Sequence, residues 1–128
     1  MAEIRKEIVV DRPPDEVWAV VGDPVGLVDF FPQAEGRMEG DVRVVAMGGL
    51  ETRERILSRD DDARRYDYEI VAAPFEFTAH RAWMKVEPEG DASRITWVTT
   101  IEPDELEPLF GPAFDDVLKQ LKAGLEPG

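Results

Sequence analysis

The chain contains no cysteine and only one histidine, His80. Without cysteine there can be no disulfide, thiolate nucleophile or thiolate metal site, so packing must hold the fold, and a reducing compartment suits it. A single histidine, with carboxylates not gathered at ligand spacing, does not make a zinc or iron site, so no metal or other cofactor is expected. Positive charge is also scarce: 15 Lys plus Arg stand against 28 Asp plus Glu, a formal charge of −13. Phosphate backbones and anionic lipid surfaces need a basic footprint, so neither nucleic acid nor a membrane surface is an expected partner. Arg53, Arg55, Arg59, Arg64 and Arg65 lie close together, but Asp60, Asp61 and Asp62 dilute them. No apolar run approaches the ~20 residues that span a bilayer, and the opening MAEIRKEIVV lacks the basic-then-apolar layout of a signal peptide. A cytoplasmic location is therefore expected. With no repeat, low-complexity tract or linker, the 128 residues, 43% of them hydrophobic, read as one domain (1–128) with a single core.

What is present is mostly strand pattern. Ile4, Lys6, Ile8 and Val10 alternate with Glu3, Arg5, Glu7 and Val9, which predicts a strand over 3–10 that Pro13 and Pro14 stop. Asp15 and Glu16 before Val17, Trp18, Val20 and Val21 predict a short helix ended by Gly22. Asp23 should cap a second one, with Pro24 at its first position and Pro32 at its end. Of Phe30 and Phe31, one should pack under a helix and the other edge a cavity mouth. Strands follow at 42–47, 50–58, 64–71, 77–87 and 93–101, with a weaker one near 35–39. Leu106, Phe110, Ala113, Phe114, Val117, Leu121 and Leu125 recur at helical spacing, and Pro112 should start or kink that helix. Grouped strands between helices predict an α+β domain in which a curved antiparallel sheet of about seven strands grips the long C-terminal helix, with two short helices after the first strand. One helix cannot fill such a sheet, so a cavity is expected.

Opposing residues in an antiparallel pair have a constant number sum, and a Gly48-Gly49 hairpin turn sets Arg43 opposite Glu54. Pairing Ser58 with Arg64 then sets Glu54 opposite Tyr68, and pairing Ile70 with Thr78 sets Tyr68 opposite His80. Alternation turns Tyr66, Tyr68, Ile70, His80, Ala82, Met84, Trp97 and Thr99 inward and Trp83 outward. A polar row of Arg43, Glu54, Tyr68 and His80 thus crosses an apolar face. One reading is a buried ion pair within a satisfied hydrogen-bond network. The other is a row that orients a ligand, with Tyr66, Ala82, Trp97 and Thr99 completing the lining. His80 and Tyr68 are the candidate catalytic residues if a reaction occurs.

The segments RPPDEVWAVVGD, VRVVAMGG followed by RERILSRDD, YDYEIV and SRITWVTTIEP resemble the polyketide cyclase/dehydrase-like branch of the START-type helix-grip superfamily, over about residues 4–123. Plant abscisic-acid receptors and Bet v-type allergens look like more distant relatives. The resemblance implies a seven-stranded sheet gripping the last helix around an apolar cavity. By it, Glu54 matches a pocket-lining carboxylate of some relatives, and Gly48-Gly49-Leu50 matches a loop that gates the hormone receptors. Glu51 stands where those receptors have Pro, and His80 where relatives often carry Tyr. The leading expectation is a binder of a small lipophilic molecule. The alternatives are an aromatase/cyclase acting on a polyketide-like substrate, with His80 as base and Tyr68 or Arg43 steadying an enolate, and an interaction module using Trp83 on the outer face.

Overall fold

Period-two alternation becomes strand wherever one face can be buried, and here it does so seven times. A computed structural model describes residues 2–31 and 33–126. Its elements are β1 (Ala2–Val10), α1 (Pro14–Val21), a 3-10 turn (Gly26–Phe30), β2 (Ala34–Glu39), β3 (Val42–Met47), β4 (Leu50–Asp60), β5 (Arg65–Ala72), β6 (Ala79–Glu89), β7 (Ala92–Glu102), a second 3-10 turn (Asp104–Leu106) and α2 (Glu107–Leu125). All neighbouring strands are antiparallel, in the order β1-β7-β6-β5-β4-β3-β2. The sheet curves around α2, so its inner face meets the helix and its outer face meets solvent. No helix among the described residues is long and apolar enough to cross a membrane.

The local chemistry explains where each helix starts and stops. Pro14 sits in the first turn of α1, where its missing N–H costs nothing, and Asp15 and Glu16 face the helix's positive end. Gly22 closes it, donating its N–H to the Trp18 carbonyl at 2.8 Å. The Asp23 carboxylate accepts from the N–H groups of Val25 and Gly26, both at 3.0 Å, as a cap should. What it caps is a 3-10 turn and not the expected second α-helix: the chain turns extended at Phe31 after only five residues, leaving i→i+3 bonds such as Val28 N–H to Val25. The stop expected at Pro32 lies outside the described residues. The C-terminal helix also begins earlier than Pro112, at Glu107. Pro108 occupies its first turn, and Pro112 is exposed, so the Pro108 carbonyl it leaves unbonded faces water.

The Gly48-Gly49 turn has φ of +60° and +82°, values glycine adopts freely, and it pairs Met47 with Leu50 and Arg43 with Glu54 as expected. The next two registers differ from expectation. Glu54 faces Ile70, and Tyr68 faces Ile56 on one side and Ala82 on the other. Between β4 and β5 the cause is a tighter turn, in which the Asp60 carboxylate caps Asp62 and Ala63 and Asp60 pairs with Arg65, together with irregularities at Arg53/Glu54 and Ile56/Ser58. Tyr68 slides two places relative to Glu54 and His80. An even slip preserves the face, so Tyr66, Tyr68, Ile70, Ala82, Met84, Trp97 and Thr99 are all buried.

Packing is uneven beneath the helix. Val10, Val17, Val21, Met84, Val86 and Ile95 are all at most 1% exposed and form a closed core with the C-terminal half of α2 through Leu118 and Leu121. Phe30 presses on Gly124 so closely that a Cβ there would lie 2.2 Å from its ring. Under the N-terminal half of α2 the filling stops.

Candidate functional site

The hollow lies between α2 and the inner faces of β3, β4 and β5, and measures about 200 Å³. Phe110 and Phe114, four residues apart on α2, stack at 5.6 Å between centroids, and Phe114 stacks on Trp97 at 3.9 Å. Phe75, from the segment between β5 and β6, meets the edge of Phe110 at 5.3 Å. These rings with Phe31 and Tyr68 put six aromatics on the wall, beside Leu27, Val45, Ile70 and Val117.

At one end stands the polar cluster. Arg43, 2% exposed, donates from Nε to Glu54 Oε1 at 2.8 Å and from Nη1 to the Pro24 carbonyl at 3.2 Å and the Tyr66 hydroxyl at 3.4 Å. Its guanidinium lies over the rings of Tyr68, at 5.0 Å, and Tyr66, at 5.7 Å. Burial, the largest influence, works against the Arg43 charge, but the Glu54 carboxylate and the hydrogen bond to Tyr66 oppose it and hold the group ionised. Burial raises both phenols, Tyr68 well above the usual range with the Glu54 charge adding to it. Neither tyrosine ionises near neutrality. Tyr66 donates to Met84 Sδ at 3.1 Å, and Tyr68 accepts from Trp97 Nε1 at 2.9 Å.

His80 has a role that alternation could not reveal. The β5–β6 ladder stops at Tyr68–Ala82 although β5 runs on to Ala72 and β6 starts at Ala79. Beyond that point the Ile70 N–H is taken by His80 Nδ1, at 2.9 Å, in place of a strand carbonyl. Since Nδ1 accepts, the ring proton sits on Nε2, and burial pushes the imidazole pKa down to about 4. His80 is thus a neutral N–H donor at the cavity wall.

Of the residues singled out by sequence, Arg43, Glu54, Tyr68, His80 and Trp97 line the hollow, and Tyr66, Ala82 and Thr99 do not. Tyr68 on β5 and Trp97 on β7 meet over the intervening β6, which roofs the fully buried Ala82. Thr99 lies on the far side of Ala82, beside Ile4, where its hydroxyl has no partner among the described residues. Tyr66 is sealed beneath Arg43 and Met84. Phe31 edges the hollow while Phe30 packs under α2. The helix aromatics Phe110 and Phe114, read from sequence only as part of the apolar helix face, and the loop Phe75, not singled out at all, also line the hollow. The first two carried a usable signal, two rings one turn apart over a sheet too large for one helix.

Outside the hollow, Trp83 is half-buried on the outer face, with the guanidinium of Arg65 at 4.3 Å and that of Arg5 at 5.9 Å from its ring. The clustered arginines are each paired with a carboxylate: Arg53 with Glu39, Arg55 with Asp41 and Glu69, Arg59 with Asp61, Arg64 with Asp15, and Arg65 with Asp67. No group of three or more His, Asp or Glu that could hold a metal occurs among the described residues.

A curved seven-stranded sheet around a terminal helix, hollow under one half of that helix, defines a helix-grip protein. The chain belongs to the family described as polyketide cyclase / dehydrase and lipid transport, which matches residues 1–126. It is similar to the protein XoxI from Bacillus cereus, at 28% identity over 98% of this chain and 96% of that one, with a TM-score of 0.90. The same fold appears in Ara h 8.0201, at 20% identity, 97% coverage of both chains and a TM-score of 0.77. It appears again in the di-domain ARO/CYC BexL from the BE-7585A biosynthetic pathway, at 19% identity over 95% of this chain and 45% of that one, with a TM-score of 0.79. No curated protein matches the chain in sequence.

Proposed function

We propose that the protein binds one small, largely apolar molecule in the hollow between α2 and β3–β5, and that it does so without chemical conversion. The observation that carries this is the contrast within one interior: side chains fill one half, and six aromatic rings surround about 200 Å³ of space in the other. Empty apolar space costs stability in proportion to its volume, and a ligand recovers that loss. Benzene occupies an apolar cavity of about 150 Å³ in another protein, so this one suits one ring or two fused rings, the second reaching toward the mouth.

The cyclase reading asks His80 to remove a proton from substrate. Its Nδ1 is occupied by the Ile70 N–H, its Nε2 already carries a proton, and its pKa of about 4 makes it a weak base. The interaction reading needs a bare apolar patch at Trp83, which Arg65 and Arg5 cover.

Native mass spectrometry of protein purified from its own host should show a bound small molecule, and an environment-sensitive apolar dye should titrate to about one site. Ala113→Trp, which puts an indole into the hollow from a solvent-accessible helix position, should lower dye affinity at least tenfold with the fold intact. Dye bound equally well by a folded Ala113→Trp protein would place the site elsewhere.

A further inference from the structure

Hydrogen-bond capacity left over at the polar end of the hollow says what the ligand should carry. Arg43 uses Nε and Nη1 within the protein, and among the described residues its Nη2 has no partner. Among the described residues, Glu54 engages Oε1 and has no partner at Oε2, and His80 binds through Nδ1 and has none at its Nε2–H. All three residues line the same space. Two donors and one acceptor therefore stand at the polar end of a chamber lined otherwise by aromatic and aliphatic side chains and Thr52, and a group left unsatisfied there costs more than a satisfied one gains.

The charges at that end sum to zero. Arg43 is matched by Glu54, His80 is neutral, and both tyrosines keep their protons. A carboxylate entering from solvent would be a second anion against one cation already engaged, and an ammonium would meet a carboxylate already engaged. An oxygen without charge meets neither penalty. It can accept from Nη2 or Nε2–H, and if it is a hydroxyl it can donate to Oε2.

We infer that the ligand is an uncharged aromatic compound of one or two rings that bears a hydroxyl or carbonyl oxygen, held by Arg43 Nη2, His80 Nε2–H and Glu54 Oε2. This rests on the binding reading given above. Anionic lipids such as fatty acids are disfavoured by the zero-sum charge, and bare hydrocarbons by the donors they would leave unpaired.

The test is a calorimetric panel of four matched probes at neutral pH: naphthalene, 2-naphthol, 2-naphthoate and 2-naphthylmethylammonium. 2-Naphthol should bind about tenfold more tightly than naphthalene, the return on one or two hydrogen bonds to charged partners, and at least about tenfold more tightly than either ion. Glu54→Gln frees the Arg43 charge, so in a folded variant 2-naphthoate should overtake 2-naphthol. Replacing Arg43 with Met and Glu54 with Leu together should erase the preference of naphthol over naphthalene. Should Glu54→Gln not fold, the wild-type ranking and the double variant decide alone. Equal binding of naphthalene and naphthol, or tighter binding of naphthoate by the wild type, overturns the inference and leaves the binding reading standing. Binding of none of the four overturns both.

Discussion

The two halves of the interior beneath α2 are built from different residues and behave differently. Under the C-terminal half, Val10, Val17, Val21, Met84, Val86 and Ile95 are almost wholly buried and cluster with Leu118 and Leu121. Under the N-terminal half, Phe110, Phe114 and Trp97 stack in series, Tyr68 bonds to Trp97 and stacks on Tyr66, and a hollow with a charged pair at its end remains. The glycines differ too, although the space at Gly111 belongs to a surface groove beside β1 and not to the hollow. A Cβ at Gly22 would lie 2.5 Å from the Trp18 indole, and one at Gly111 meets nothing within 4 Å. Branched aliphatics interdigitate to native density, whereas stacked rings fix one another's orientation and act as spacers. Stability is concentrated in the first half, which leaves the second free to remain open.

Four measurements would break or sharpen that division. Ile95→Ala, in the closed half, should cost about 4 kcal/mol in urea unfolding, against about 1 kcal/mol for Val45→Ala on the hollow's wall, where the truncation adds to space already present. Comparable losses would mean the hollow is packed. Next, Glu54→Gln should cost about 3 kcal/mol by stranding the Arg43 cation, and replacing the pair with Met and Leu should recover most of it. A double variant as unstable as the single one would show that the pair is not what the site pays to keep.

The third concerns pH. Burial lowers His80 in the folded state to about 4 from its ordinary value of 6.5, so the unfolded chain takes up the proton first. Its contribution is whole above about pH 6.5 and is lost as pH falls toward 4, by on the order of 3 kcal/mol. His80→Asn keeps an acceptor for the Ile70 N–H but does not titrate, so the stability difference between variant and wild type should shift in the variant's favour over that window. A difference that stays constant with pH would refute the buried neutral imidazole. Smallest is the glycine pair. Gly22→Ala should destabilise by about 2 kcal/mol through overpacking, and Gly111→Ala should stabilise by up to about 1 kcal/mol through helix propensity.

Much of this was legible because strand alternation carries facing information that survives errors in register. The slip of two places at Tyr68 moved its partners from Glu54 and His80 to Ile56 and Ala82 without turning it outward. Arg43 and Glu54 were placed opposite each other because Gly48-Gly49 permits one tight turn geometry. The four-residue turn after Asp60 was not legible, since it depends on a side-chain cap that several Asp residues could have made. Nor was the substitution of an imidazole for a ladder carbonyl at Ile70, a contact between residues ten apart that no periodicity encodes. The 3-10 turn replaced a helix because capping signals say where a turn begins and not how far it runs.

The most direct test of the division is a titration of 2-naphthol followed by methyl and imidazole NMR, in which the single histidine gives an unambiguous signal. We expect shifts at Val45, Ile70, Val117 and the His80 Nε2–H, with Val86 and Ile95 unmoved. Shifts at Val86 and Ile95 with none at Ile70 and His80, or no shifts at all, would contradict the account.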